Sequence, residues 1–172
     1  MRVLLTGATG VVGSEVARLL GGVAGLRLVR VARRPVADGS VIGWRIGAEP
    51  APPELRGAWD VIVHTAASTR WTMSRAEAET TNVTPVRSVL ELATPATHLV
   101  HVSTAYVGGE RAEDDGAVEF DGYRNGYEWS KAVGESLAVD RHPGPLTVVR
   151  PPLILGRRGD GAIARFSGPY TL

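Results

Sequence analysis

The sequence predicts an α/β fold: a doubly wound parallel sheet of at least six strands with helices on both faces. Three observations predict it. Short apolar, β-branched runs alternate along the chain with segments of helical periodicity, the pattern of strand–helix–strand units. The first run ends in a glycine-rich turn that opens directly into a helix. A length of 172 residues with 44% hydrophobic content makes one domain with a substantial core.

The elements follow in order. Arg2-Val3-Leu4-Leu5 is a buried strand, ended by Thr6-Gly7-Ala8-Thr9-Gly10-Val11-Val12-Gly13. Val12, Val16, Leu19 and Leu20 then recur at helical spacing, and Gly21-Gly22 stops the helix. Residues 26–32 form a second strand and residues 41–46 a short third; Pro50, Pro52 and Pro53 mark a loop. Residues 60–65 are the fourth strand. Residues 74–82 are expected to be helical, followed by another helix with Pro85 at its first position and Thr84 as its cap. That helix carries Val86, Val89, Leu90 and Ala93. Residues 98–103 form the fifth strand and 146–150 the sixth. In such a sheet, ligands bind outside the carboxyl ends of the strands. No repeat, low-complexity tract or interdomain linker is visible.

Composition excludes several classes. A net charge of +1 provides no strong field for nucleic acid or an anionic membrane. The absence of cysteine excludes disulfides, thiolate metal sites and a cysteine nucleophile. His64, His98, His101 and His142 show no metal-ligand spacing, so no metal is expected. The four tryptophans are dispersed and form no stacking platform. Residues 110–115 read as a solvated acidic loop, and Asn82-Val83-Thr84 fits a glycosylation sequon but is followed by Pro85. No stretch approaches a membrane span, and the first apolar run is too short for a signal peptide, so the expected location is cytoplasmic.

Two motifs carry chemistry. The first is the turn containing Gly7, Thr9, Gly10, Val11, Val12 and Gly13. Glycines allow the backbone to approach a pyrophosphate, and the helix that follows offers free N–H groups and a positive dipole end. The spacing is Gly-x-x-Gly-x-x-Gly. About twenty residues past such a turn, an acidic residue holds the ribose hydroxyls in NAD-binding versions. Here Arg33 and Arg34 stand at that distance. A guanidinium binds a 2′-phosphate, so NADPH is the expected cofactor, with NADH kept open by the nearby Asp38. The second motif is Tyr127 and Lys131. Four residues apart on a helix, they share a face, and a cation beside a phenol favours the phenolate, which suits proton transfer near neutral pH.

These residues sit in blocks that together resemble the extended short-chain dehydrogenase/reductase family, with its NAD(P)-binding Rossmann fold. The chain is most similar to the thioester-reductase and fatty-acyl-CoA-reductase (male sterility) branch. The blocks are residues 6–13, 61–71, 81–84, 101–109, 125–131 and 149–152, which occur in family order and span nearly the whole chain. The resemblance implies that Tyr127 passes a proton to or from the substrate oxygen. Lys131 would lower the tyrosine pKa and hydrogen-bond the nicotinamide ribose. Thr104 would hydrogen-bond the substrate carbonyl, with Ser103 open as an alternative because strand neighbours point to opposite faces. His64, Ala66 and Ala67 would pass the cofactor at the fourth-strand turn, and Pro151 would contact the nicotinamide side. Ser68, Thr69, Arg70 and Trp71 would line the substrate side, and Asn82 would be structural.

The leading expectation is therefore an NADPH-dependent reductase of a carbonyl, in particular of a small-molecule or carrier-bound acyl thioester, yielding an aldehyde. A nucleotide-sugar epimerase or dehydratase holding NAD is the second, and a non-catalytic dinucleotide-binding module the third. A homodimer is compatible with all three. Family members continue past the sixth strand into a substrate-binding region. Residues 1–172 are expected to be the Rossmann domain, with that region largely absent from this sequence.

Overall fold

A computed structural model describes residues 1–108 and 116–164, with the backbone alone for 116 and 117. Gly109 and the acidic stretch 110–115, both singled out above, lie outside the described residues. Six strands form one sheet in the order β3-β2-β1-β4-β5-β6. They are β1 (Arg2–Thr6), β2 (Arg27–Ala32), β3 (Ile42–Gly43), β4 (Val61–His64), β5 (His98–Val102) and β6 (Leu146–Val149). Every neighbouring pair is parallel. The chain builds outward from β1 to β3, then crosses to the other side of β1 to lay down β4. The connections after β1 and β4 therefore leave in opposite directions, which opens a crevice at their carboxyl ends.

Alternation along the strands builds two cores. Leu4, Ile62 and Leu99 face one side and pack with Val86, Val89 and Ala138, which belong to α3 (Thr84–Leu90) and α5 (Gly126–Arg141). Val3, Leu5 and Val63 face the other side and meet Val16, Ala17 and Leu20 of α1 (Val11–Leu20). Adjacent strand residues point to opposite faces, so the same strands hold helices on both. No helix among the described residues is long and apolar enough to cross a membrane.

Two elements differ from the sequence reading. The third strand is only Ile42–Gly43, because the chain turns from Arg45 to Ala48 and passes through Gly47 at φ +83. The helix expected over 74–82 begins as α2 (Arg75–Ala78), where Ser74 and Glu77 form a reciprocal capping box. It then widens into a π turn, Glu79–Val83, and runs on into α3. Thr84 is thus no cap: its backbone is helical and its N–H donates to the Glu79 carbonyl. Pro85 has no N–H to give to the preceding turn, and the wider π turn lets the helix continue through it. The remaining helix is α4 (Gly116–Glu119).

Candidate active site

Close packing shapes the glycine turn. Gly7 adopts φ +69, and a Cβ there would lie 2.7 Å from the Ala66 nitrogen. A Cβ on Gly13 would lie 2.1 Å from the Gly7 carbonyl oxygen. These two glycines let β1, α1 and the turn after β4 close on one another, which brings Ala66 against the fingerprint. Gly10 differs. It is exposed, it caps α1 with no side-chain bond, and a Cβ on it would meet only the Gly7 oxygen, at 3.2 Å. The leading N–H groups of α1, from Val11 to Gly13, are thus left without a side-chain cap at the mouth of the crevice.

Beside the turn is a cleft of about 380 Å³ lined by Thr9, Ser14, Arg18, Arg30 and Ser40, among others. Arg33 and Arg34 do not line it; both are exposed beyond β2. Arg18 is held by Glu15, with Nε donating to Oε1 at 2.9 Å. Counting twenty residues past the glycines misses Arg30, because Arg30 lies inside β2 and reaches the cleft through the face it takes in the sheet.

The residues expected to transfer protons gather at the end of β5. Asn125 caps α5 by accepting from the Glu128 N–H at 3.0 Å, which starts the helix at Gly126 and puts Tyr127 in its first turn. Thr104 is buried and its hydroxyl sits against the Tyr127 phenol. Ser103 lies beside Glu135, although its Oγ makes no hydrogen bond of good geometry. Of the two hydroxyls, Thr104 is thus the one beside Tyr127. Pro151 is locked alongside, its carbonyl accepting from Ala105 N–H at 3.0 Å.

Lys131 is the only lysine in the chain; every other member of its 19 lysines and arginines is arginine. It is buried, and Nζ donates to the Val102 carbonyl at 2.6 Å. Burial pushes it down to about 8, with Glu135 opposing the fall. The Tyr127 phenol is not acidified in this state. Burial pushes it above its ordinary value, the Thr104 hydroxyl opposes that, and Tyr106 and Glu128 add to the rise. The lysine is turned to the β5 backbone, its Nζ donating to the Val102 carbonyl.

His64 departs from its expected place. It is 2% exposed, its Nδ1 lies 2.7 Å from the Thr6 hydroxyl in a hydrogen bond, and its ring packs on His101 with centroids 5.6 Å apart. Register puts Thr6, His64 and His101 side by side across the sheet, facing inward. Ala66 is half-buried against the glycine turn and Ala67 is exposed. Asn82 is structural: its Oδ1 accepts from Ser68 N–H at 2.7 Å, and its Nδ2 donates to Ser68 O and Ser130 Oγ. It ties the loop after β4 to the helix bearing Tyr127. Of that loop, Trp71 is half exposed and meets Tyr106 edge-on at 5.9 Å. Sequence reasoning passed over Tyr106, although it lies two residues beyond Thr104 in the same block.

The uncapped α1 N-terminus, the cationic cleft and the small residues after β4 fit an extended dinucleotide, its pyrophosphate at Gly10–Gly13 and its adenosine end toward Arg30. No group of three or more potential metal ligands occurs among the described residues.

Comparison with known proteins agrees. The model of the male sterility protein family matches residues 49–172. Among solved structures, the terminal R domain from the myxalamid PKS-NRPS biosynthetic pathway aligns at TM-score 0.74 and 24% identity, over 91% of this chain and 50% of that one. UDP-glucuronic acid 4-epimerase from Bacillus cereus, in complex with NAD, aligns at 0.71 and 21%, over 92% and 58%. A thiolation-reductase di-domain from an archaeal non-ribosomal peptide synthetase aligns at 0.69 and 17%, over 94% and 54%. The chain thus spans between half and three fifths of the length of these structures. No curated protein matches the sequence. With the family model covering well over half of the chain, this protein belongs to the male sterility branch of the extended short-chain dehydrogenases/reductases.

Proposed function

We propose that this chain is the dinucleotide-binding and proton-transfer part of an NADPH-dependent reductase that converts an acyl thioester to an aldehyde. The observation that carries the proposal is Lys131: the sole lysine of an arginine-rich chain, buried one turn from Tyr127. An arginine would keep its charge on any surface but cannot release a proton or present a compact ammonium. A lysine kept at this one place answers a chemical need.

Gly10–Gly13 and Arg30 would hold the pyrophosphate and adenosine phosphate, and Lys131 the nicotinamide ribose. The dinucleotide, when bound, supplies the hydride for the carbonyl carbon. The protein supplies the rest. Thr104 and Tyr127 direct hydrogen bonds at the carbonyl oxygen, where negative charge gathers. Tyr127 gives that oxygen its proton, and its high pKa makes the neutral, donating phenol the resting form. The resulting hemithioacetal collapses to an aldehyde and a thiol. Two of the similar structures come from assembly-line enzymes, one of them joined to a thiolation domain, which supports a carrier-bound acyl group as substrate. Trp71 and Tyr106 offer it an aromatic mouth.

Titration with NADPH and NADH, then turnover of acyl-CoA and carrier-bound thioesters, tests the proposal. Tyr127→Phe should lower turnover by about 100-fold or more while NADPH affinity stays within twofold. Preference for NADH together with nucleotide-sugar turnover would favour the epimerase reading instead. Tight NADPH binding without turnover of any thioester would favour a binding module.

A further inference from the structure

Tyr127, Lys131 and Glu135 follow one another at four-residue intervals on α5, so they lie on one face, a turn apart. The mechanism above uses the first two. Glu135 is largely buried, and Arg150 grips it bidentately, Nε to Oε2 at 3.0 Å and Nη2 to Oε1. Arg150 is itself half exposed and immediately precedes Pro151, the residue locked beside Thr104. The Glu135–Arg150 pair thus joins the helix that carries Tyr127 to the turn that flanks the other side of the site.

Lys131 stands above this pair with one hydrogen bond, to a neutral carbonyl. A buried ammonium needs an opposite charge. The groups around it are His64 from β4, His101 from β5, Tyr127 and Glu135 from α5, and Arg150 from the end of β6. Both histidines are buried, and neither ring nitrogen of His101 has a hydrogen-bond partner among the described residues. Burial holds His101 at about 3 and His64 well below its ordinary value, so both are neutral. Glu135 is the one anion in the set.

We propose that Glu135, clamped by Arg150, is the positioning residue for Lys131: its carboxylate keeps the buried lysine an ammonium and pins the Tyr127 face of α5 to the Arg150–Pro151 turn. Arg150 serves by holding Glu135 ionised, since the guanidinium beside it lowers the carboxyl against the pull of burial. Replacing Glu135 by glutamine would leave Lys131 with burial alone. The functional half of this inference rests on the reductase reading; the charge relation does not.

One lysine makes the test direct. The full chain labelled at lysine Cε gives a single lysine resonance, whose midpoint against pH is read without assignment and without ligand. In the wild type it should titrate near pH 8. In Glu135→Gln it should fall by about one pH unit or more, a tenfold or greater loss of proton affinity. Glu135→Asp should hold the midpoint close to the wild type, and Arg150→Met, which removes a cation and leaves the carboxylate in place, should not lower it. Should Glu135→Gln fail to fold, the Glu135→Gln/Arg150→Met pair is read against Arg150→Met alone, below whose midpoint it should fall. A Glu135→Gln midpoint equal to the wild type, or a double variant equal to Arg150→Met, overturns the proposal. NADPH binding measured from pH 6 to 9 separates the two readings. A shifted lysine midpoint with a matching shift in the pH dependence of binding sustains both. A shifted midpoint with unchanged binding sustains the charge relation and removes Lys131 from the ribose.

Discussion

Gly13→Ala and Gly10→Ala differ by one methyl group each, three residues apart, and the structure assigns them opposite consequences. At Gly13 the new Cβ would lie 2.1 Å from the Gly7 oxygen, 2.7 Å from the Gly7 carbonyl carbon and 2.8 Å from Thr65 Oγ1. Real Cβ atoms essentially never come within 3.0 Å of such neighbours, so α1 or the turn must retreat by about 0.9 Å. Both are backbone, and Gly7 is itself fixed against Ala66. Overpacking of this kind costs about 3 kcal/mol or more where no side chain can yield. For a domain of this size that lowers Tm by about 6–12 °C. At Gly10 the backbone is ordinary, φ −80 and ψ 174, and the single close atom is 3.2 Å away. Its stability should change by less than about 1 kcal/mol. The methyl would instead stand over the leading N–H groups of α1, so NADPH affinity should drop by about tenfold or more. Thermal unfolding by circular dichroism, with NADPH fluorescence titration, reads both quantities. If Gly13→Ala melts within 2 °C of the wild type, or Gly10→Ala is the more destabilised of the two, the packing argument is wrong.

Three further outcomes can be checked. Arg30→Leu should weaken NADPH by about tenfold and leave NADH nearly unchanged, because one charge-assisted contact to a 2′-phosphate is lost; Arg33→Ala and Arg34→Ala should each have smaller effects, and the reverse ranking would return the role to those exposed residues. Asn82→Ala removes three hydrogen bonds from a 3%-exposed side chain and should cost about 2–3 kcal/mol in urea unfolding, since Ser68 and Ser130 lose their link. Stability should fall on acidification. His64 and His101 are held neutral when folded, so the unfolded chain binds more protons below pH 6.5, and the loss runs from there down toward the folded value of about 3 for His101. The slope near pH 5 approaches about 2.7 kcal/mol per pH unit for the two together. His101→Phe should roughly halve it, and a flat profile between pH 7 and 5 would count against a buried neutral pair.

The sequence by itself determined the doubly wound parallel sheet, because apolar runs of period two and helical stripes of period 3.6 are local facts. It also determined which side chains share a helix face: Tyr127 and Lys131 were legible together for that reason. The glycine turn was legible because its strand–helix context is contiguous in the chain. Residues that meet across the sheet were not. Thr104 and Ser103 are told apart only by their neighbours on α5, Tyr127 for one and Glu135 for the other. His64 reads as a cofactor neighbour along the chain, yet alternation turns its ring inward onto Thr6 and His101. Arg30 sits inside a strand where counting from the glycines does not look, and it reaches the cleft because β2 lies beside the turn that follows β1. Thr84 reads as a cap because a proline usually starts a helix, whereas a π turn carries this one through. The direction of the Lys131 ammonium, and the Glu135–Arg150 pair beneath it, depend on β5, β6 and α5 converging at one end of the sheet. Periodicity fixes the face a residue occupies; only the packed sheet decides which distant residues share the space in front of it.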